Sequence, residues 1–366
     1  MAVDHILALA ATMNVLRAFR SQACCCLAIV MWLALARRVD GQSVVAHDTV
    51  SSIALRSNLL GDSPVREVLV YLPPSYRHQP SRRYPVLYLL HGFTSLPIEW
   101  LDGTYQGFNL QLTMDSLIAE RAVPEFIVVM PDANNRLEGN VYLNSPVSGR
   151  WADYIVKELT SFIDHRYRTI ANRGHRAIAG HSGGGFGSLV LGFENPRVYG
   201  MIYSMSPAFA GFVGNLNPTA RIWLTASAPR TFAEATGRGP IPALAMALSP
   251  DPKRPRLFGR LPFEPDSAGN VVPVPHVVAR WKSRMPVGLA ARLRPGMAAR
   301  PRIVMEAGTL DTGIVVQGVR AVAAVLDSVR VPYSALFFVG GHIDKERQRF
   351  NTHVLPAIGR WFRQSR

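Results

Sequence analysis

Lysine is scarce in this chain of 366 residues: only four of its 40 basic residues are lysine, and the other 36 are arginine. The formal net charge is still high, at 40 − 25 = +15. The arginines are scattered, without the dense basic run and interleaved aromatic residues that are typical of nucleic-acid binding. Such an arginine excess is typical of GC-rich coding, so we expect no nucleic-acid partner.

Cysteine is also scarce, and the three cysteines, at 24–26, lie in one apolar run over residues 23–36. This run follows Arg17 and Arg20 and is short for a membrane span, which needs about 20 residues. Its length fits a signal peptide, and the small residues before position 37 predict cleavage after Ala36. The sequence therefore predicts a signal peptide over 1–36, with an uncleaved membrane anchor as the alternative.

Met13 lies just ahead of the basic residues, and we interpret it as the start of translation, with residues 1–12 outside the protein. Cleavage of the signal predicts a secreted or periplasmic protein without a stable membrane span. The cleaved chain would hold no cysteine, which excludes disulfides, a cysteine nucleophile and a thiolate metal site. The sequence also lacks an H-E-x-x-H metal-binding motif.

Short apolar runs alternate with longer periodic stretches after a lead-in over residues 37–64. The pattern predicts strands over 68–72, 85–90, 126–130, 176–179, 201–205, 302–306 and 335–339. It predicts helices over 110–121, 153–167, 184–195, 316–329 and 352–363. This alternation is typical of an α/β fold, a mostly parallel sheet with helices on both faces, over residues 65–366. Residues 207–300 are rich in proline, glycine and arginine and predict an irregular insertion before the strand at 302–306.

Residues 180–184 read G-H-S-G-G and fit the G-x-S-x-G pattern between a predicted strand and a predicted helix. A serine on such a sharp turn projects its hydroxyl above the sheet, and the flanking glycines avoid collisions with neighbouring backbone. Ser182 is therefore the candidate nucleophile. The glycine cluster at 183–187 lacks the G-K-[ST] ending of a phosphate-binding loop.

A serine nucleophile needs a base and an acid, which follow it along the chain in this type of fold. His342 comes directly after the predicted last strand and follows two glycines, so it is the candidate base. Asp311 follows the strand at 302–306 and is the candidate acid. Glu306 is the alternative acid, although a residue within a strand would point into the core or to the opposite face. Asp344 is too close to His342 along the chain to reach back to its ring.

Two backbone amides are candidates for stabilising a negatively charged oxygen near Ser182. One is the amide of Gly183, directly after the nucleophile, and the other is the amide of Phe93 in the loop after the strand at 85–90. An ordinary strand-ending turn at His91 and Gly92 is the alternative for the second.

The segments YPVLYLLHG at 84–92, MPDAN at 130–134 and AIAGHSGG at 177–184 resemble the putative-esterase branch of the α/β-hydrolases. Residues 308–311 and 341–342 are similar to the acid and base loops of that branch. Its members include S-formylglutathione hydrolases, feruloyl esterases, siderophore esterases and mycolyltransferases. The resemblance implies an α/β-hydrolase fold and ester hydrolysis without a metal, and the missing H-E-x-x-H motif agrees with it, so we expect no metal and no cofactor.

These features together predict an exported serine esterase that uses Ser182, His342 and Asp311 and forms an acyl-enzyme intermediate. The expected substrate is a small-molecule or polymer-linked ester. Two alternatives remain open, an acyltransferase of the mycolyltransferase type and a non-catalytic hydrolase-like binding protein. An aspartate at the acid position, where mycolyltransferases carry glutamate, argues against the acyltransferase.

Overall fold

The computed structural model describes residues 41–213, 216–217 and 221–365. The predicted signal peptide at 1–36 and the start at Met13 lie outside these residues and stay predictions. No helix within the described ranges is long and apolar enough to span a membrane. The chain divides into a large unit, Ser43–Pro73 with Ser81–Arg366, and a small one whose described residues are 41–42 and Pro74–Pro80. The small unit contains a single 3₁₀ turn, Pro74–Tyr76, among its described residues.

An eight-stranded sheet forms the centre of the large unit, with the order β1-β2-β4-β3-β5-β6-β7-β8. The first two strands pair antiparallel with each other, and β2 also pairs antiparallel with β4. All other neighbours are parallel. The strands are β1 Val44–Ser51, β2 Val65–Leu72, β3 Val86–Leu90, β4 Ile127–Pro131, β5 Arg176–His181, β6 Met201–Met205, β7 Arg302–Gly308 and β8 Ser334–Phe338.

The predicted α/β-hydrolase fold is thus confirmed. The strands that were predicted from apolar runs are the ones whose side chains are buried. Every residue of β3 and β4 is buried, as continuous apolar runs in a covered parallel sheet should be. The prediction missed β1, which lies within the 37–64 lead-in. This strand is at one end of the sheet and is mostly exposed or half-buried, so its residues carry little hydrophobic pattern.

Helices cover both faces of the sheet, as predicted. The helices outside the insertion are α1 Leu110–Ala119, α2 Trp151–Asp153 continued by the π-helix Tyr154–Leu159 and by Thr160–Arg166, α3 Gly183–Glu194, α9 Gly313–Ser328, α10 Glu346–Arg349 continued by the π-helix Phe350–Val354, and α11 Leu355–Gln364. Two further 3₁₀ turns lie at Pro97–Trp100 and Arg173–His175. The last predicted helix, 352–363, is therefore longer than its sequence pattern indicated.

A hydrophobic core lies on each face of the sheet, between the strands and the covering helices. On one face, Met114 of α1 and Leu355 of α11 join a buried cluster with Leu87 of β3. On the other face, α3 packs on β3, β5 and β6. Gly192 allows this close approach, because a Cβ there would lie 2.4 Å from the Ile202 side chain. The sheet and α3 therefore form a rigid support for the residues at their junction.

The interval at 207–300 is more ordered than the irregular insertion that its composition predicts. Its described part contains the helices α4 Ile222–Ser227, α5 Phe232–Ala235, α6 Pro240–Leu248, α7 Pro275–Arg284 and α8 Pro286–Ala290 and a ribbon of Phe263–Pro265 with Val271–Pro273. Three of these helices begin at proline, which has a backbone angle suited to the first helical turn. The α8 helix packs on α3 and α9, so the insertion reaches the helix that follows Ser182.

Candidate active site

The residues singled out in the sequence gather at the carboxyl edge of the sheet. Ser182 follows β5, Asp311 follows β7, and His342 follows β8, while Phe93 lies in the loop after β3. These four strands are parallel. Parallel strands end at the same edge, where open α/β sheets bind their ligands.

Ser182 lies on the sharp turn that the G-x-S-x-G pattern predicts. Its backbone angles are φ 55° and ψ −115°, between the end of β5 and the first residue of α3. A side-chain-bearing residue adopts this region only when its surroundings impose it. The backbone N–H of Ser182 donates to the carbonyl of Met205 at 3.0 Å, which ties the turn to β6. The strained turn fixes the direction in which the hydroxyl leaves the backbone.

Glycine is required on both sides of this turn. A Cβ at Gly184 would lie 2.1 Å from the carbonyl oxygen of Leu90 in β3. A Cβ at Gly180 would lie 2.4 Å from the backbone of Gly184. Real Cβ atoms do not approach backbone atoms this closely, so the predicted reason for both glycines holds.

The side chains of Ser182, His342 and Asp311 form a hydrogen-bonded chain. Nε2 of His342 lies 2.8 Å from Oγ of Ser182, and Nδ1 lies 2.8 Å from Oδ2 of Asp311. With a proton on Nδ1 donated to the carboxylate, Nε2 is free to accept the serine proton. The predicted nucleophile, base and acid are therefore in mutual contact.

Asp311 is placed to remain ionised beside His342. Its side chain is 0% exposed, and Oδ1 accepts a 2.6 Å hydrogen bond from the Thr312 N–H. Burial opposes the ionisation of Asp311. The hydrogen bond from His342, the charge of His342 and the hydrogen bond from the Thr312 N–H outweigh it, so the pKa of Asp311 lies below its usual value. A carboxylate in this position can orient the imidazole and balance a positive charge on it.

Glu306, the alternative acid, makes different contacts. Its Oε2 accepts from the hydroxyl of Tyr203 at 3.0 Å and from Nε of Arg349 at 3.2 Å, and the side chain is completely buried. It lies within β7, and its carboxylate is used by this buried ion pair. The geometry therefore favours Asp311 over Glu306 as the partner of His342.

The two candidate oxyanion donors lie next to each other. A Cβ at Gly183 would be 2.8 Å from the backbone nitrogen of Phe93. Helix α3 begins at Gly183, so the first amides of α3 have no acceptor four residues earlier within the helix. The positive end of the helix dipole also points toward this position. The arrangement can accept a negatively charged oxygen above Ser182.

His91 holds the loop that carries Phe93. Its Nδ1 donates to the carbonyl of Gly92 at 2.8 Å, and its Nε2 accepts from the Ala133 N–H at 2.9 Å. The hydroxyl of Tyr142 donates to the His91 carbonyl at 2.8 Å. Burial lowers the pKa of His91, in keeping with a neutral ring that donates on one side and accepts on the other. The turn at this strand end is thus fixed by a buried network.

Two features of the site were not recognised in the sequence. His181, treated there as the variable position of the G-x-S-x-G pattern, is buried and contacts both Glu346 and the carbonyl of His342. Asp344 accepts from the Gly341 N–H at 2.7 Å and closes the turn before His342. A histidine beside a nucleophile gives no signal by itself, because its partner Glu346 lies 165 residues further along the chain.

The arrangement is suited to acid–base and nucleophilic chemistry at one serine. Among the described residues, no group of three or more histidine, cysteine, aspartate or glutamate side chains is arranged to hold a metal ion.

Comparison with known families places this geometry in context. Residues 62–325, more than half of the chain, match the family described as Putative esterase. The chain belongs to this putative esterase family. The resemblance seen in the sequence segments is therefore confirmed.

Curated relatives of this esterase family member share part of its length. An endo-1,4-beta-xylanase/feruloyl esterase from Xylanibacter ruminicola is 30% identical over 165 residues, which cover 43% of this chain and 21% of that protein. Esterase Rv1288 from Mycobacterium tuberculosis is 36% identical over 129 residues, 33% of this chain and 25% of that protein. The matched region thus spans a quarter or less of each relative.

Solved structures share the fold over most of the chain. A ferulic acid esterase superposes with a TM-score of 0.60 at 22% identity and covers 88% of this chain and 99% of its own. An S-formylglutathione hydrolase from Agrobacterium tumefaciens gives a TM-score of 0.55 at 16% identity, covering 88% and 96%. At this level of identity the similarity supports the α/β-hydrolase fold.

Proposed function

We propose that this member of the putative esterase family is an exported serine esterase that hydrolyses carboxylic esters through an acyl-enzyme. The observation that carries the proposal is the hydrogen-bonded chain from Ser182 through His342 to Asp311. A serine, an aspartate and a histidine, in this order along the chain and with the histidine in contact with both others, are the groups that acyl transfer to water requires.

The first half of the reaction acylates Ser182. His342 Nε2 takes the proton from Oγ as the oxygen attacks the ester carbonyl, and Asp311 balances the charge on the imidazolium. The carbonyl oxygen becomes an oxyanion, which the N–H groups of Gly183 and Phe93 stabilise. His342 then gives its proton to the departing alcohol, and an ester to Ser182 remains.

The second half repeats these steps with water. His342 takes a proton from a water molecule as it attacks the acyl group, and the same two amides stabilise the second oxyanion. Collapse of this intermediate returns the proton from His342 to Oγ of Ser182 and releases the acid. An acyltransferase would use the same steps with a second alcohol in place of water.

We propose esters with an apolar acyl or alcohol part as substrates. Large apolar side chains are exposed at the chain positions next to two residues of the proposed site, Leu310 before Asp311 at 73% and Ile343 after His342 at 52%. Apolar contacts of this kind favour an aryl or alkyl group over an acetylated sugar. Feruloyl esters belong among the first compounds to test, since one relative is named a feruloyl esterase.

We propose export on the basis of the apolar run at 23–36 behind Arg17 and Arg20. N-terminal sequencing of protein recovered from outside the cytoplasm should begin near Arg37. Recovery of only the full-length chain from the cytoplasm would contradict export.

One experiment tests the proposed chemistry without knowledge of the natural ester. A fluorophosphonate probe should label the wild-type protein and leave the Ser182→Ala variant unlabelled. A panel of short aryl esters, feruloyl esters and acetylated sugars then ranks substrates, and the aryl and feruloyl esters should be preferred. A wild-type protein that neither reacts with the probe nor hydrolyses any ester would support the non-catalytic alternative.

A further inference from the structure

A second histidine–carboxylate pair lies directly behind the first. Nδ1 of His181 is 2.7 Å from Oε1 of Glu346, and its Nε2 is 2.9 Å from the backbone carbonyl oxygen of His342. The rings of His181 and His342 are 4.8 Å apart between their centroids. The chemistry proposed for Ser182, His342 and Asp311 makes no use of this second pair.

Both ring nitrogens of His181 lie beside an oxygen atom of α10 or of the loop before it. Nε2 donates a hydrogen bond to the His342 carbonyl, which can only accept, and Nδ1 lies 2.7 Å from Oε1 of Glu346, a close ion-pair contact without hydrogen-bond alignment. A neutral imidazole carries one N–H and could satisfy only one of them. Burial disfavours the charged ring, but the Glu346 carboxylate and the His342 carbonyl raise the pKa of His181 above its usual value. His181 and Glu346 therefore form a buried ion pair.

The loop between β8 and α10, which carries His342, has few features of its own that would hold it in place. It contains two successive glycines, and its apolar side chains Val339 and Ile343 are 78% and 52% exposed. The Leu310 N–H donates to the Gly340 carbonyl at 2.9 Å, which fixes the start of the loop. The bond from His181 is made to the main chain of His342 itself.

The pair also connects the elements on both sides of the site. His181 is the last residue of β5 and directly precedes Ser182, whereas Glu346 is the first residue of α10. The side chains of both are nearly or completely buried, at 2% and 0% exposure. A displacement of His342 relative to Ser182 would therefore break a buried contact.

We propose that His181 and Glu346 are a positioning pair: they hold the main chain of His342 at the distance from Ser182 that proton transfer requires. The proposal rests on the function proposed above, in which His342 is the base. Reactions of this kind are sensitive to geometry, and a displacement of about 1 Å can cost on the order of 10²-fold in rate.

Substitutions at His181 separate the hydrogen bond from the bulk of the side chain. His181→Leu removes the donor and should lower kcat by roughly 30- to 100-fold with little change in KM, because substrate contacts are intact. His181→Gln keeps an N–H group that can reach the His342 carbonyl, so it should recover most of kcat. Glu346→Gln, which removes the charge that orients His181, should give an intermediate loss.

A matched control distinguishes positioning from a general loss of stability. Tyr203→Phe removes a buried hydrogen bond to Glu306 nearby and should leave kcat within about twofold of wild type. Each variant is measured by thermal unfolding, by kcat and KM on an aryl ester, and by the rate of fluorophosphonate labelling. Slow labelling in a folded His181→Leu protein, restored in His181→Gln, is the expected result.

Three outcomes would overturn the proposal. A folded His181→Leu protein with wild-type kcat would show that the contact is not needed. Equal losses in His181→Gln and His181→Leu would show that the N–H bond is not the relevant feature. If His181→Leu does not fold, wild-type kcat in both His181→Gln and Glu346→Gln would count against the pair, whereas a fall in kcat at constant KM in Glu346→Gln would support it.

Failure of the proposed function gives a different pattern. In that case Ser182→Ala would keep the activity of wild type toward esters and the fluorophosphonate probe. Loss of activity in Ser182→Ala together with full activity in His181→Leu would reject the positioning pair alone.

Discussion

Nε2 of His342 lies 2.8 Å from Oγ of Ser182, although the two residues are 160 positions apart in the chain. Their contact follows from the sheet: Ser182 comes after β5 and His342 after β8, and both strands end at the same edge. Each residue can be substituted alone or together with the other, so kinetics can test whether they act in the same step.

Removal of Ser182 and removal of His342 should not have additive effects. Each single alanine variant should lose on the order of 10⁶ in kcat, because attack by Oγ requires both the oxygen and the base. The double variant should then lose little more than either single variant. Steady-state kinetics on an aryl ester provides the comparison, and losses that multiply would contradict a shared step.

Substitution of Asp311 should mainly lower catalysis, whereas substitution of Glu306 should mainly lower stability. Asp311→Asn removes the charge that faces His342 and can favour the wrong tautomer, so kcat should fall by about 10⁴, or roughly 5 kcal/mol in barrier height. Glu306→Gln breaks the buried pair with Arg349 and should mainly lower stability, by about 3–5 kcal/mol.

Kinetics and denaturant unfolding of both variants separate these effects. The assignment would be wrong if a folded Glu306→Gln protein lost all turnover while Asp311→Asn remained active. Such a result would make the site similar to that of the mycolyltransferases and would favour acyl transfer over hydrolysis.

The sequence was sufficient to predict the elements that carry strong local patterns. Buried runs such as that of β3 identified the parallel strands, and G-x-S-x-G identified the turn at Ser182 because steric demands select glycine there. The edge strand β1 was missed since a half-exposed strand needs no apolar run. The helices within 207–300 were underestimated because their proline-rich starts were interpreted as irregular chain.

The contact between His181 and Glu346 could not be predicted from the sequence, and the reason is a different one. His181 and Glu346 come into contact only when β5 and α10 are packed at the same end of the sheet. A single long-range contact between a histidine and a glutamate leaves no periodic signal in the sequence. The proposed catalytic residues Ser182, Asp311 and His342 were easier to predict, because each follows a recognisable strand.

Gly183→Ala should impair the proposed oxyanion site. The new Cβ would lie 2.8 Å from the Phe93 nitrogen, so the loop after β3 must shift and its amide must leave its present position. Loss of one oxyanion donor lowers kcat by about 10²–10³ in other hydrolases. We expect a decrease in kcat of that order, measured on an aryl ester.

The matched control for Gly183→Ala is Gly296→Ala, where a Cβ would meet no atom within 4 Å. It should keep wild-type kcat. Full activity in Gly183→Ala would show that the Phe93 amide does not take part in the reaction.

Stability should depend on pH through His91. Since burial holds the pKa of His91 below its unfolded value of 6.5, the folded protein binds fewer protons than the unfolded chain. The contribution of neutral His91 to the stability of the folded protein is therefore complete above about pH 6.5. It is lost as the pH falls toward the pKa of His91 in the folded protein. The free energy of unfolding should decrease over that range by up to about 1.4 kcal/mol per pH unit for one proton. In His91→Gln this part of the slope should be absent, because glutamine does not titrate. Urea unfolding of both proteins between about pH 5 and 8 measures the difference, and parallel curves below pH 6.5 would show that His91 is not a buried neutral residue.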